Sequence, residues 1–195
     1  KGPRPAAEAI FVSDDATALS LYETGRLDLI RRLSTILIPK YEKTPDFFQT
    51  PLARFDYIGF GDSVAASRDF RLALALGADY DEFKKAFFAL GRPGCPSFPE
   101  EYMDKPRCLK FDLAKAKKAW DAVSPQIKDK THTFFVNATG GADLLRSAQW
   151  YQSQWKKNLG LKTEIRALEQ TSYVQLLKTK PPAIFRKGYS RDRPS

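Results

Sequence analysis

Apolar and polar positions along the chain switch several times between strand-like alternation and helix-like spacing. Glu8 to Val12 alternates weakly and runs into Ser13-Asp14-Asp15, side-chain acceptors suited to a helix N-terminus, and Ala16 to Thr24 then reads as a helix stopped at Gly25. Leu27 to Ile30 is again short and apolar, so this opening stretch predicts strand, helix, glycine turn and strand, the order of a parallel α/β unit. Pro39, Pro45 and Pro51 punctuate the less regular region after it, with a short helix predicted at Pro45 to Gln49, where proline suits the first turn. Phe55 to Phe60 has strand composition.

Two helices are predicted next, Ser67 to Leu76 and, behind Asp79, Tyr80 to Leu90, the latter stopping at Gly91. Gly91 to Lys110 holds Pro93, Pro96, Pro99 and Pro106 and reads as a long connection with Cys95 and Cys108 near its ends. Asp112 caps a helix over Leu113 to Val123. Thr133 to Asn137, Leu161 to Leu168 and Ala183 to Phe185 are predicted strands, separated by helices at Ala142 to Leu159, stopped by Gly160, and at Ser172 to Lys178. No fixed period recurs, so the pattern predicts one α/β domain with a mixed, mainly parallel sheet flanked by helices.

Composition agrees with a folded domain: 195 residues, 43% hydrophobic and 28% charged, which excludes disorder and collagen-like repetition. The longest apolar runs, Ile36 to Ile38 and Leu72 to Leu76, are far too short for a membrane helix. The chain starts at Lys1 without an initiating Met or a signal sequence, and reads as a processed piece of something longer. Its net charge of +9 is concentrated in residues 156–195, where ten Lys or Arg face three acids, a surplus of +7. Such a surplus fits a polyanion, and a small basic nucleic-acid-binding domain is one reading. Because the charge is spread over a helix end, a strand, a second helix and a tail, a solvated basic surface is the simpler expectation.

Chemistry is sparse. His132 is the only histidine, at the mouth of a strand, where a surface position is expected, and no nucleophile or orienting carboxylate can be placed beside it. Thr139-Gly140-Gly141 lacks the further glycine of a dinucleotide fingerprint and the lysine of a phosphate loop, so a plain strand-to-helix turn accounts for it. Cys95 and Cys108 with one histidine are too few for a zinc site, and a bridge or two free thiols both fit the residues. No enzyme activity, metal or cofactor is expected.

Five segments in order carry a resemblance. Ser13-Asp14-Asp15-Ala16-Thr17-Ala18-Leu19 running into Thr24-Gly25-Arg26-Leu27-Asp28 comes first, then Asp69-Phe70-Arg71-Leu72-Ala73 with Ala78-Asp79-Tyr80. Phe111-Asp112-Leu113-Ala114-Lys115-Ala116-Lys117, Gln152-Ser153-Gln154-Trp155-Lys156-Lys157-Asn158-Leu159-Gly160-Leu161 and Gly188-Tyr189-Ser190-Arg191-Asp192 complete the set. Together they resemble the family 5 bacterial extracellular solute-binding proteins, the substrate-capturing components of peptide, oligopeptide and nickel ABC importers.

The resemblance covers one lobe of that family's two-lobed, type II periplasmic-binding-protein-like fold. It implies a single α/β lobe over residues 1–195, with residues 1–7 and 188–195 as hinge segments severed from a first, N-terminal lobe. It further implies a peptide or small-solute ligand enclosed by lobe closure, delivery to an ABC permease in the membrane, and a periplasmic or lipid-anchored extracellular location. By the same resemblance Asp192 pairs with the peptide α-ammonium and Arg186 meets its carboxylate. Tyr189 stands where the family usually has Trp, and Arg191 sits beside the acid and competes for its charge. The oxidising compartment so implied favours a Cys95–Cys108 disulfide. Tyr189, Arg191 and the Arg193-Pro194 stretch depart from the family pattern, as does the short Gly61-Asp62-Ser63 link, and they leave dipeptides, longer peptides and metal chelates all open as ligands.

Overall fold

The computed structural model describes residues 6–12, 14–50, 54–87, 94–95 and 108–190. Helices α1 (Asp15–Glu23) and α2 (Ile38–Tyr41) precede strand β1 (Arg54–Phe60), which is followed by α3 (Asp62–Ala65), α4 (Arg68–Leu76) and α5 (Tyr80–Ala86). Then come α6 (Leu113–Asp121), α7 (Pro125–Lys128), β2 (His132–Asn137), α8 (Ala142–Leu159), β3 (Thr163–Leu168), α9 (Gln170–Thr179) and β4 (Ile184–Ser190).

Short polar side chains start the helices by taking orphan backbone donors. Asp14 accepts from Thr17 N at 2.7 Å, Ser67 from Phe70 N at 3.2 Å, Asp79 from Glu82 N at 3.0 Å and Asp112 from Lys115 N at 2.9 Å. At the other end of α8, Gly160 takes the left-handed conformation (φ 71°) that only glycine adopts without strain, so α8 ends where the sequence predicts.

The sheet order is β1-β4-β2-β3, with β4, β2 and β3 mutually parallel and β1 antiparallel on β4. The expected mixed, mainly parallel sheet is therefore present. In β2 the residues of one parity, His132, Phe134 and Val136, are buried, and Ile184 of β4 joins them. Above that face lie α4, α6 and α8, which contribute Phe70, Leu74, Ala116, Ala119, Ala148 and Trp155 to one core. The Trp155 indole donates to Leu74 O at 3.0 Å and Asn158 donates to Gly77 O at 2.8 Å, which locks α8 to α4. Right-handed crossovers put α8 and α9 on opposite faces, because β2 to β3 and β3 to β4 run in opposite directions across the sheet.

Several expectations are corrected. Residues 8–12 and 27–30 form no strand, since no described strand lies beside either to complete a ladder. Residues 45–46 form a turn and 47–49 no regular element, with Thr44 N and Phe47 N each bonded three residues back, and Thr50 before Pro51 is disfavoured in the helical region; Pro39 opens the short helix α2 instead. β4 runs five residues past the predicted Phe185, to Ser190, because pairing with β1 continues to Arg54↔Ser190 where the local sequence Arg186-Lys187-Gly188 gives no strand signal. The helix α5 is described only to its C-cap Phe87. Residues 88–93 and 96–107, with the predicted helix end at Leu90 and most of the proline-rich connection, lie outside the described residues, as do Ser13, 1–5 and 191–195.

Candidate ligand-binding site

In open α/β sheets ligands sit beyond the carboxyl ends of the parallel strands, at the point where successive crossovers diverge to opposite faces. Here α8 leaves the carboxyl end of β2 and α9 that of β3, so that point lies between β2 and β3, and β4 is the other neighbour of β2. The carboxyl end of β4 lies against the start of β1, since Asp56 pairs with Gly188 and Ile58 with Arg186. Partners in an antiparallel ladder share a face, so Arg54, Asp56 and Arg186 stand on the same side of the sheet as the core, beyond its edge.

Two guanidinium groups share one carboxylate there. Arg54 Nη2 and Arg186 Nη2 lie 3.0 Å and 3.2 Å from Asp56 Oδ1. Arg186 is the enclosed member, its side chain 16% exposed against 43% for Arg54 and 37% for Asp56. Burial pulls the Arg186 guanidinium below its ordinary range and Arg54 adds to that, while Asp56 opposes it. The cluster carries one positive charge more than its acid neutralises. Gly188 makes room for it: a Cβ at that position would stand 2.0 Å from Arg54 Nη2 and 2.4 Å from Asp56 Oδ1. From the other face, the Tyr173 hydroxyl donates to Arg186 O and pins the strand at this residue.

Tyr189 lies on the opposite face, 59% exposed, on the side that also carries Phe55, Tyr57 and Phe185. Strand alternation therefore separates Tyr189 from the Arg186 cluster. Asp192 and Arg191 lie outside the described residues. Arg54 and Asp56 were missed by sequence reasoning. Their one signal is an opposite-charge pair two residues apart at the start of the predicted strand Phe55 to Phe60, which the structure extends back to Arg54.

Along the same edge, the 3-10 turn Ala138–Gly140 is capped by Asn137, whose side chain accepts from Thr139 N at 2.9 Å. Gly141 (φ 85°) leaves space for Arg32, which donates to Gly140 O at 3.1 Å and pairs with Asp15 at 3.1 Å. The glycine turn thus seats an arginine of the same chain. Asp143 next to it accepts from Thr35 N at 2.8 Å, Thr35 Oγ1 at 2.9 Å and Arg146 Nη1 at 2.6 Å.

His132 is corrected from a surface to a buried residue. It holds the first inward position of β2, its ring 5.3 Å from that of Phe70 and its Nε2 2.8 Å from Ile127 O. It stands at the opposite end of β2 from the glycine turn, about 17 Å away at strand rise. A cavity of about 290 Å³ at that amino-terminal end is lined by Ser63, Gln126, Lys130, His132 and Pro182. Cys95 and Cys108 form a disulfide, as expected. Among the described residues no cluster of His, Cys, Asp or Glu could hold a metal, and no helix is long and apolar enough to cross a membrane.

Comparison with solved structures gives the class: the fold is a portion of the periplasmic binding protein fold. The periplasmic oligopeptide-binding protein of Borrelia burgdorferi superposes with a TM-score of 0.78 at 20% identity, over 91% of this chain and 37% of that one. OppA of Listeria monocytogenes, bound to peptide, gives 0.78 at 21% identity, over 93% and 39%. NikA of Staphylococcus aureus in complex with Ni(L-His)2 gives 0.67 at 15%, over 91% and 39%. The chain thus spans under two-fifths of the length of these structures. No curated protein matches the sequence. Residues 7–195 match the middle model of the bacterial extracellular solute-binding proteins, family 5, and the chain belongs to that family. This is a family of solute-binding proteins.

Proposed function

We propose that this chain provides one lobe of a periplasmic or surface-anchored binding protein that closes over extended peptides and hands them to an ABC permease. The observation that carries the reading is the Arg54–Asp56–Arg186 cluster at the carboxyl edge of the sheet, where among the described residues an enclosed guanidinium shares one carboxylate with a second arginine. A buried cation of this kind gains from a second anion, and an extended peptide offers a carboxylate that an arginine can take in bidentate fashion. In this reading Arg186 receives the peptide carboxylate, Asp192 its ammonium, and Tyr189 and Arg191 line the hinge that residues 188–195 form with the other lobe. Fixed contacts to the peptide's ends and backbone leave its side chains free to vary.

The test is calorimetric titration of the full-length two-lobed protein with short peptides carrying either a free or an amidated C-terminus. Arg186→Met is expected to weaken free-acid peptides by about 10–100-fold, the worth of a charge-assisted hydrogen bond, and to leave amidated ones nearly unchanged. Equal loss for both, or no binding of any peptide by the wild type, overturns the reading. Salt-dependent DNA binding without peptide binding would favour the nucleic-acid alternative.

A further inference from the structure

Asp56 stands between two guanidinium groups but is held by one of them. Arg54, two residues back on the same face of β1, donates from Nε to Oδ1 at 3.1 Å and to Oδ2 at 3.2 Å, with its Nη2 3.0 Å from Oδ1. Arg54 therefore engages both carboxylate oxygens. Arg186 stands diagonally across the ladder, since it pairs with Ile58 while Asp56 pairs with Gly188. It approaches Asp56 only through Nη2, 3.2 Å from Oδ1, and among the described residues its guanidinium donates no hydrogen bond. An enclosed fork of five donors with no acceptor aligned on it is an exception in a folded chain, where buried polar groups are as a rule paired.

Along the ladder Asp56 lies between the two arginines, with Arg54 toward the end of the sheet and Arg186 toward the core. Arg54 reaches it across the face of Gly188. A Cβ there would stand 2.0 Å from Arg54 Nη2, 2.6 Å from its Cζ and 2.4 Å from Asp56 Oδ1, so the space of the missing side chain is where this pair is seated. Without Arg54 the carboxylate would have one guanidinium of the cluster left to pair with. Rotation of its short side chain would lay both oxygens on the Arg186 fork, a bidentate pair stronger than the single contact and less screened by salt than one at the surface.

We infer that Arg54 is a positioning residue that keeps Asp56 off Arg186, so that the enclosed fork stays open to an anion of the ligand. The inference rests on the peptide reading above. Asp56 is then an internal competitor for the peptide carboxylate, and Arg54, seated over the bare Gly188, holds that competitor back.

Calorimetric titration of the full-length two-lobed protein with tri- and tetraalanine, as free acids and as amides, tests it. Arg54→Gln is expected to cut the preference for free acid over amide by about 10–100-fold, the worth of a charge-assisted hydrogen bond. Gly188→Ala, which displaces Arg54 at little cost to an extended backbone, is expected to act in the same direction. Adding Asp56→Asn to either variant is expected to restore the preference at least to the wild-type value. A loss that Asp56→Asn leaves unrepaired assigns Arg54 to the ligand itself and overturns the inference. The crystal structure of peptide-free Arg54→Gln gives a readout independent of binding: both Asp56 oxygens are expected on the Arg186 fork, and a carboxylate turned to solvent overturns the inference. Wild-type protein that binds none of these peptides removes the peptide reading, and that structure then decides the role of Arg54 by itself. Binding by the wild type with an unchanged preference in Arg54→Gln removes this inference alone.

Discussion

Asp56 is the residue on which the site's electrostatics turn, because among the described residues it is the carboxylate that pairs with both Arg54 and the enclosed Arg186. Removing one partner of a buried pair costs about 3–5 kcal/mol, but Asp56 is over a third exposed and solvent screens part of that. Asp56→Asn is therefore expected to lower stability by about 1–2 kcal/mol in urea denaturation, with most of it recovered in the double variant with Arg186→Met. Glu169 makes a pH-dependent contribution: its carboxylate accepts from Thr171 N and Ser172 N at the start of α9, and the hydrogen bonds of Ser172 lead in holding it down from 4.5 to about 2. A carboxyl whose pKa is lower in the folded state contributes stability above its unfolded value and loses it as pH falls through the folded one. Unfolding titrations between pH 4.5 and about 2 are expected to show this loss, and Glu169→Gln to flatten it. Arg186 was legible in the sequence through the Gly188-Tyr189 motif just after it. Its partners Arg54 and Asp56 were not, since only the β1–β4 register brings residues so distant in sequence together.

Elements with a strong local signal formed as the sequence reads them. α8 runs from Ala142 to Leu159 as predicted, bounded by Gly141 and Gly160 with positive φ at both ends. β4 shows the opposite case, a strand lengthened by its neighbour through Gly188, a residue with little strand propensity of its own. The connection between α5 and α6 is fastened by Cys95–Cys108, and Leu109 N donates to Gly94 O at 2.8 Å beside it. A bridge across 13 positions restricts the unfolded chain, so reduction is expected to lower stability by about 2–4 kcal/mol in denaturant titrations with and without dithiothreitol. Intact mass of the non-reduced protein checks the bond itself: a value two hydrogens heavier would contradict it.

For the molecule as a whole, buried phenols set an upper pH limit as Glu169 helps set a lower one. Burial raises Tyr80 and Tyr173 to about 12 from 10, and raises Tyr151 further. A raised folded-state pKa contributes stability that is complete below the unfolded value and is lost as pH climbs through the folded one. Stability is thus expected to fall between pH 10 and about 12, with tyrosinate absorbance from these residues rising together with loss of circular dichroism. The +9 charge remains solvated surface along much of its length, while at Arg186 it is drawn into an enclosed cluster. By itself the sequence determined the α/β class, most helix limits and the family resemblance, because caps, glycine stops and apolar periodicity act over a few residues. The tertiary structure decided which strands pair, that His132 is core, and that Asp56 faces both Arg54 and Arg186. Those depend on register and sheet order, which no local pattern encodes. It also decided that residues 8–12 and 27–30 join no strand among the described residues, for a strand needs a neighbour that its own residues cannot supply.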